Sequence, residues 1–431
     1  MSPPGSRWRT RTSVALATVV AALAGCGAAK PATTPARTTS ATTTSATTTS
    51  ATTTSATTTT RTAVASDNAL ALALLGRLSE NPDNVVFSPY SIESALAMVD
   101  TGAAGSTKTE IDHVLHTSSP TTVAAGLQAI DSRLVGGAKG PSLELANSLW
   151  VQRGLGLKQP FTHTLATLFG AAPQPVDFAG APDSARQAIN SWVAARTGHK
   201  ITDLFPAGTI TPRTSAVLAN AIYLVARWTY PFTHALTAPG PFYPGSGAAV
   251  QVPFMTQRTP VAFAYARRPG YRAVDLPYTH STLSMLLVMP TPGTLARFER
   301  TLTPSSLARV VRSLASRRLD LHVPKFHLTF DTELSSVLSA LGMPVAFTDG
   351  ADFSGITAHT ALKISAVEHA ADLQVDEAGT VAAAATGIGL EPTAVGPLPT
   401  TSLTLDHPFL AVLRDDASGA ILFVAQVTNP A

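Results

Sequence analysis

A large body of mixed α and antiparallel β structure, preceded by a non-globular leader, is the fold class that three observations predict. The 431-residue chain is 45% apolar and 13% charged, which allows a sizeable core and argues against global disorder. Helical periodicity comes early in the body and strand patterns dominate later, without the regular strand–helix alternation of a doubly wound sheet. The one cysteine, Cys26, excludes an internal disulfide framework and a CxxC metal or redox site.

The leader divides in two. In residues 1–25, Arg7, Arg9 and Arg11 precede an apolar run over 14–24 that is too short to span a bilayer, as in an export signal. The run ends in Leu23-Ala24-Gly25-Cys26, which resembles the lipobox of bacterial lipoproteins. That resemblance implies cleavage before a lipidated Cys26 and an exported chain anchored to the outer face of a bacterial cell membrane, or secreted. Acyl chains on one cysteine hold a protein to a bilayer through about 0.8 kcal/mol per buried CH₂. Residues 26–66 contain four SATTT units beginning at Ser40, Ser45, Ser50 and Ser55. Nothing in them offsets backbone entropy, so they are expected to form an unfolded tether, a substrate for O-glycosylation by composition. All six charges before Asp67 are basic, so the formal net charge of +3 belongs to the leader, and residues 67–431 carry 24 basic against 27 acidic side chains. A body without a basic excess is a poor partner for nucleic acid.

Along the body, apolar residues at Leu70, Leu74, Leu75 and Leu78 predict a helix over 67–78, with Asp67 as its N-cap. A short buried strand over 84–88 stops at Pro89, and a helix follows Ser91. Strands are expected over 143–152 and 216–224, the second nearly all apolar as in a central strand, with an amphipathic helix over 184–196 between them. Alternation predicts strands over 261–265, 272–276, 284–289 and, in one longer run, 320–330; a helix is expected over 331–341. Residues 409–413 and 421–427 read as a hairpin turned at 417–419.

Residues 375–408 stand apart. Four alanines follow Gly379, Thr380 and Val381, and then Gly387, Gly389, Pro392, Pro397 and Pro399 exclude a helix or a central strand. The expectation is an exposed loop of about twenty residues, a length that usually serves function.

The acidic pair, Gly-Thr and small-residue run resemble the hinge of the serpin reactive loop, matched by Glu377, Gly379, Thr380, Ala382, Ala383, Ala384, Ala385 and Thr386. The likeness extends over residues 67–431 and includes NVVFSPYSIESALAM from Asn84, NSWVAARTGHKITDL from Asn190, NAIYLVARWTYPF from Asn220, LDLHVPKFHL from Leu319, ADFSGI from Ala351, HPFLAVLRD from His407 and FVAQVTNP from Phe423. The chain is therefore similar to a serpin, in a bacterial lipoprotein form. The resemblance implies the serpin fold, with three β-sheets, eight or nine helices and an exposed reactive-centre loop. It also implies suicide inhibition of a serine protease by a monomer that is not itself an enzyme. After the loop is cut, its hinge side enters the central sheet as a new strand, a behaviour for which serpins are the standard example.

In such a strand Thr380, Ala382, Ala384 and Thr386 share one face, all small and uncharged, so they enter a packed interior without an unpaired charge. Gly379 is expected to supply backbone freedom at the turn. The family's cut falls fourteen residues beyond Gly379, at Thr393-Ala394, within the span 390–398. No Lys or Arg lies between Thr380 and Pro408, which points to an elastase-like or subtilisin-like target and away from trypsin-like ones. A non-inhibitory serpin and one directed at cysteine proteases are the alternatives. Ser88, Ser91, Asn220 and His369 match the family's shutter, and Trp228 its breach. The segment matching the heparin-binding helix, 121–136, holds one basic residue, Arg133, which argues against heparin. No metal or cofactor motif is present, and the absence of G-x-S-x-G argues against a hydrolase.

Overall fold

The computed structural model describes residues 46–117, 119–134, 140–245, 247–358, 362–380 and 400–431. Residues 50–431 form one compact unit; of residues 1–49 only 46–49 are described, as helix. The signal segment and Cys26 lie outside the described residues.

Among the described residues there are nine α-helices: α1 Ala46–Leu78, α2 Pro89–Asp100, α3 Gly105–Val114, α4 Pro120–Leu134, α5 Gln159–Phe169, α6 Pro182–Arg196, α7 Leu295–Arg300, α8 Pro304–Arg312 and α9 Ser335–Leu341. The strands are β1 Val85–Phe87, β2 Ser142–Gln152, β3 Gln174–Val176, β4 Ala216–Arg227, β5 Ala238–Phe242, β6 Val250–Thr256, β7 Val261–Arg268, β8 Tyr271–Pro277, β9 Leu283–Pro290, β10 Ala315–Pro324, β11 Phe326–Glu333, β12 Ala366–Val375, β13 Gly379–Thr380, β14 Thr401–Thr404, β15 Phe409–Asp415 and β16 Ile421–Val427.

They gather into two hydrogen-bonded sheets. One has six strands in the order β11-β12-β13-β4-β2-β3; the other has ten, β1-β16-β15-β9-β8-β7-β10-β6-β5, with β14 paired to β10. The family's three sheets become two because β10 serves two groups of strands. Its first half, Ala315–Leu319, pairs with β7, and its second half pairs with β14 and β6.

The all-apolar reading of 216–224 has a simple cause. Val217, Ala219 and Ala221 pack with Ile189 and Val193 of α6, while Leu218, Ile222 and Leu224 face the larger core shared with the ten-stranded sheet. A strand covered on both faces has no solvent side to keep polar.

The structure corrects four expectations. The first helix starts at Ala46, inside the segment read as an unfolded tether, and Asp67 is no N-cap. It sits mid-helix, fully buried, with its carboxylate accepting the Ile421 N–H at 2.8 Å. Ala63, Val64 and Ser66 are buried beside it, so the last residues of the expected tether belong to the packed body. The second helix begins at Pro89, two residues before the expected Ser91, with Ser88 as its cap. The alternating run 320–330 is two strands in different sheets, broken at Pro324-Lys325, because alternation persists through a bend that periodicity cannot register. The helix expected over 331–341 begins at Ser335. Asp331, Thr332 and Glu333 extend β11 and pair with Ala370, His369 and Glu368. The C-terminal hairpin is as expected, with Gly419 at φ +83° in its turn. Within the segment 375–408, Thr401–Thr404 form β14, and the loop of about twenty residues expected there falls largely outside the described residues.

Candidate functional site

The site lies along the seam where β4 and β12 meet in parallel, Ala366–Asp372 against Val217–Tyr223. At mid-seam His369 stands beside Asn220, and on the other side of β4 Asn220 pairs with Asn147 of β2. Three adjacent strands thus present a row of polar side chains inside an apolar core.

α2 caps this row. Ser88 is its N-cap and accepts the Ser91 N–H at 3.1 Å, with Pro89 following where a missing N–H costs nothing. The Ser88 N–H donates to His369 Nε2 at 3.2 Å. That fixes the tautomer: His369 Nδ1–H donates to the Asn220 side-chain oxygen. Asn220 Nδ2 donates to Ser91 Oγ and to Asn147 Oδ1, both at 2.8 Å, and Ser91 Oγ donates to Asn147 Oδ1 at 2.7 Å. Burial pushes the His369 imidazolium down to about 3, so the ring is neutral. The four shutter residues taken from the resemblance are therefore one connected network. Asn147 is a fifth member that the sequence reading missed; its only signal is a polar residue interrupting the strand LELANSLW.

At the head of the seam the chain turns back on itself. Asp376 Oδ1 accepts the N–H groups of Ala378 (2.9 Å) and Gly379 (3.1 Å), which folds β13 in between β12 and β4. Gly379 pairs with Arg227, and Thr380 pairs with Ala226 on one side and Val375 on the other. The sequence reading kept the whole hinge outside the sheet until cleavage; in the uncut chain its first two residues are already inside. It also assigned Gly379 to backbone freedom. The need is instead close approach, since a Cβ there would run into the Ala226 carbonyl and stand 2.8 Å from Arg227 Cα.

Thr380 is fully buried, and its hydroxyl meets the Tyr278 phenol at 2.6 Å. Tyr278 stacks on Trp228, ring centroids 4.4 Å apart, and burial raises its phenol well above the usual range, so it stays protonated. Trp228 donates Nε1–H to the Asp376 carbonyl and its backbone N–H to the Ala378 carbonyl, both at 2.9 Å. Glu377 is held by Lys325 at 3.0 Å and Thr237 at 2.8 Å. Burial alone would raise its carboxyl, but these donors outweigh that and hold it below the ordinary value. Trp228, Glu377, Gly379 and Thr380 thus converge as one knot. Tyr278, Lys325 and Thr237 complete it. Tyr278 belongs to no quoted motif and is recruited only by folding. Ala382, Ala383, Ala384, Ala385, Thr386, Thr393 and Ala394 lie outside the described residues. Among the described residues no group of His, Cys, Asp or Glu could hold a metal ion.

Comparison with known proteins agrees with this architecture. The model of the family "Serpin (serine protease inhibitor)" matches residues 65–430. An uncharacterized serpin-like protein of Methanosarcina mazei is 33% identical over 377 residues, 85% of this chain and 87% of that one. The structure of uncleaved ovalbumin is similar with a TM-score of 0.77 at 26% identity, covering 85% of this chain and 99% of the other. Human thyroxine-binding globulin complexed with its hormone is similar with a TM-score of 0.78 at 28% identity, covering 86% and 99%. With the fold, the seam and the matched length in agreement, the chain belongs to the serpin family.

Proposed function

We propose that this serpin is a suicide inhibitor of elastase-like or subtilisin-like serine proteases, cut at Thr393-Ala394 and anchored to the outer face of a bacterial membrane through lipid on Cys26. The observation that carries the reading is the place of the hinge: Gly379–Thr380 already lie antiparallel to both β4 and β12, at the mouth of a parallel seam. A strand that continues from Thr380 down that seam gains two ladders of hydrogen bonds in place of one.

The protease serine attacks the Thr393 carbonyl, the peptide bond to Ala394 breaks, and Ala394 leaves as a free amine. The freed hinge side then zips in. Fourteen inserted residues carry the acyl-protease roughly 45 Å along the sheet, at about 3.3 Å per residue. Its catalytic geometry is lost before water reaches the ester. The small side chains of 382–386 suit this entry, and the absence of a cation between 381 and 407 suits a shallow apolar specificity pocket.

The test mixes the full chain with pancreatic elastase, subtilisin, trypsin and papain, followed by a denaturing gel. A covalent band with elastase or subtilisin is expected, with a released peptide beginning near Ala394 by mass spectrometry, and the cut chain should melt at a higher temperature than the intact one. A chain that is only cleaved, with no band and no gain in melting temperature, rejects inhibition by insertion. A band with papain alone moves the target to cysteine proteases. Lipidation is tested separately: Cys26→Ala should leave the membrane fraction.

A further inference from the structure

Away from the seam, two acids lie in the core without a cation. Asp67 of α1 and Glu93 of α2 are both fully buried. One Asp67 oxygen accepts the Ile421 N–H at the start of β16, at 2.8 Å; the other has no partner, and neither has either oxygen of Glu93. The adjacent Ser66 hydroxyl donates to the Leu115 carbonyl just after α3, so its proton is not free for Glu93. The other ionisable groups around the pair are acids as well. Tyr90 lies three positions before Glu93 on α2, and Asp131 of α4 accepts its hydroxyl at 2.7 Å. His113 and His116, on either side of Leu115, are exposed. Among the described residues neither Asp67 nor Glu93 has a basic partner.

A buried carboxylate without a cation is held neutral rather than charged. Burial raises the Asp67 carboxyl well above the ordinary value, and the Ile421 N–H opposes it more weakly. Burial first and the Asp67 charge second raise Glu93 likewise, against a smaller pull from Ser66. Asp67, with a donor on one oxygen, is the first of the two to ionise, and its charge then makes the second ionisation harder. Apolar side chains of similar volume would hold two helices together without this penalty. The acids therefore add a dependence on pH that packing alone does not require.

The pair sits where the N-terminal part of α1 enters the body. Asn68 donates its side-chain N–H to the Gly419 carbonyl at 3.0 Å, and Ala63 and Val64 are buried a turn earlier. That stretch crosses α4 at Gly126. A Cβ on Gly126 would stand 2.3 Å from Ala63 Cβ and 3.0 Å from the Thr59 carbonyl oxygen, so the two helices touch where only glycine fits. α4 is tied in turn to α2 by the Tyr90 hydroxyl, which also donates to the Leu127 carbonyl at 2.8 Å.

We propose that Asp67 and Glu93 form a proton-held clasp: while the pair keeps its protons, residues 58–66 stay docked on α4, and losing them frees that strap from the body. The direction follows from linkage. The unfolded chain gives up both protons near pH 4, whereas the folded chain holds them to higher pH. The clasp is therefore full in acid and weakens as pH rises above about 4. It acts independently of any protease, so its test does not depend on the inhibitor reading.

Hydrogen exchange of the full chain is measured at pH 5, 6, 7 and 8, with rates corrected for the intrinsic effect of pH. Protection over 58–66 is taken relative to β9, which removes global changes in stability. In the parent it should fall with rising pH, approaching tenfold per pH unit for each proton released. Asp67→Asn/Glu93→Gln, which cannot ionise, should show no such slope. Should that variant fail to fold by circular dichroism, Glu93→Met replaces it and should show a shallower slope than the parent. A flat parent, or a variant with the parent's slope, overturns the clasp. Gly126→Val should leave 58–66 unprotected at every pH; protection equal to the parent's would mean that α4 holds no strap. Calcium chloride added to the parent at pH 8 should change nothing. Restored protection would make the occupant of the pair a cation and overturn the proton.

Discussion

β15 and β16 pair antiparallel along their length with every residue buried, whereas β4 and β12 meet in parallel with His369 and Asn220 side by side at their middle. Apart from the buried Arg414, Asp415 and Gln426 near the strand ends, the first pair is held by apolar surface that has nothing to gain from parting. The second has a slightly weaker ladder and a polar row whose hydroxyl, amide and imidazole groups are satisfied from α2 and β2 as well as from each other. On the proposed mechanism, the strand already lodged at its head, β13, is where it would open. One sheet is thus a fixed frame and the other a seam, and the difference resides in a few polar residues on otherwise apolar strands.

The sharpest way to break this comparison is at the seam. Thr380→Arg forces a cation into a fully buried position whose one partner is the Tyr278 phenol, at a cost of about 3–5 kcal/mol for an unpaired buried charge. The variant should still be cut by a target protease but form no covalent complex on a denaturing gel; an undiminished complex would end the insertion argument. Phe423→Ala, in the frame, should cost about 3–5 kcal/mol of stability, since Phe423 is fully buried. It should leave the ratio of complex to cleaved inhibitor unchanged. A large change in that ratio would show that the frame is part of the moving machinery.

The third prediction concerns pH. In the unfolded chain His369 titrates near 6.5, in the folded one at about 3. The unfolded state takes up the proton first, so this group's stabilisation is full above pH 6.5 and declines by about 1.4 kcal/mol per unit as pH falls towards 3. Glu368 and Glu299, raised by burial to about 7 and about 8, act in the opposite sense. The useful quantity is therefore a difference. Between pH 7 and pH 5 the parent should lose about 2 kcal/mol more than His369→Gln in urea melts; equal slopes would mean that the imidazole is not held neutral. The smallest effect is that of Tyr278→Phe, which removes one hydrogen bond to Thr380. About 1 kcal/mol of stability should go, with the Trp228 stacking retained. A loss several times larger would mean that the phenol organises the knot rather than merely closing it.

Much of this was legible before folding. Periodicity located the buried strand β4, the helix α6 and the C-terminal hairpin, because burial on one or both faces writes itself into local pattern. The Ser-Pro pair before α2 and the Asp376–Thr380 run carry local chemistry, and motif likeness placed the shutter residues. What the sequence could not express is adjacency between distant strands. Asn147, Asn220 and His369 become a row only when β2, β4 and β12 align in one register, and Tyr278 reaches Thr380 across 102 positions of chain. Whether Gly379 serves freedom or close approach depends on where the Ala226 carbonyl stands. The burial of Ala63 and Val64 in the packed body was likewise decided in three dimensions. Local pattern encodes which side of an element is buried; partners brought together by loop closure leave no trace in it.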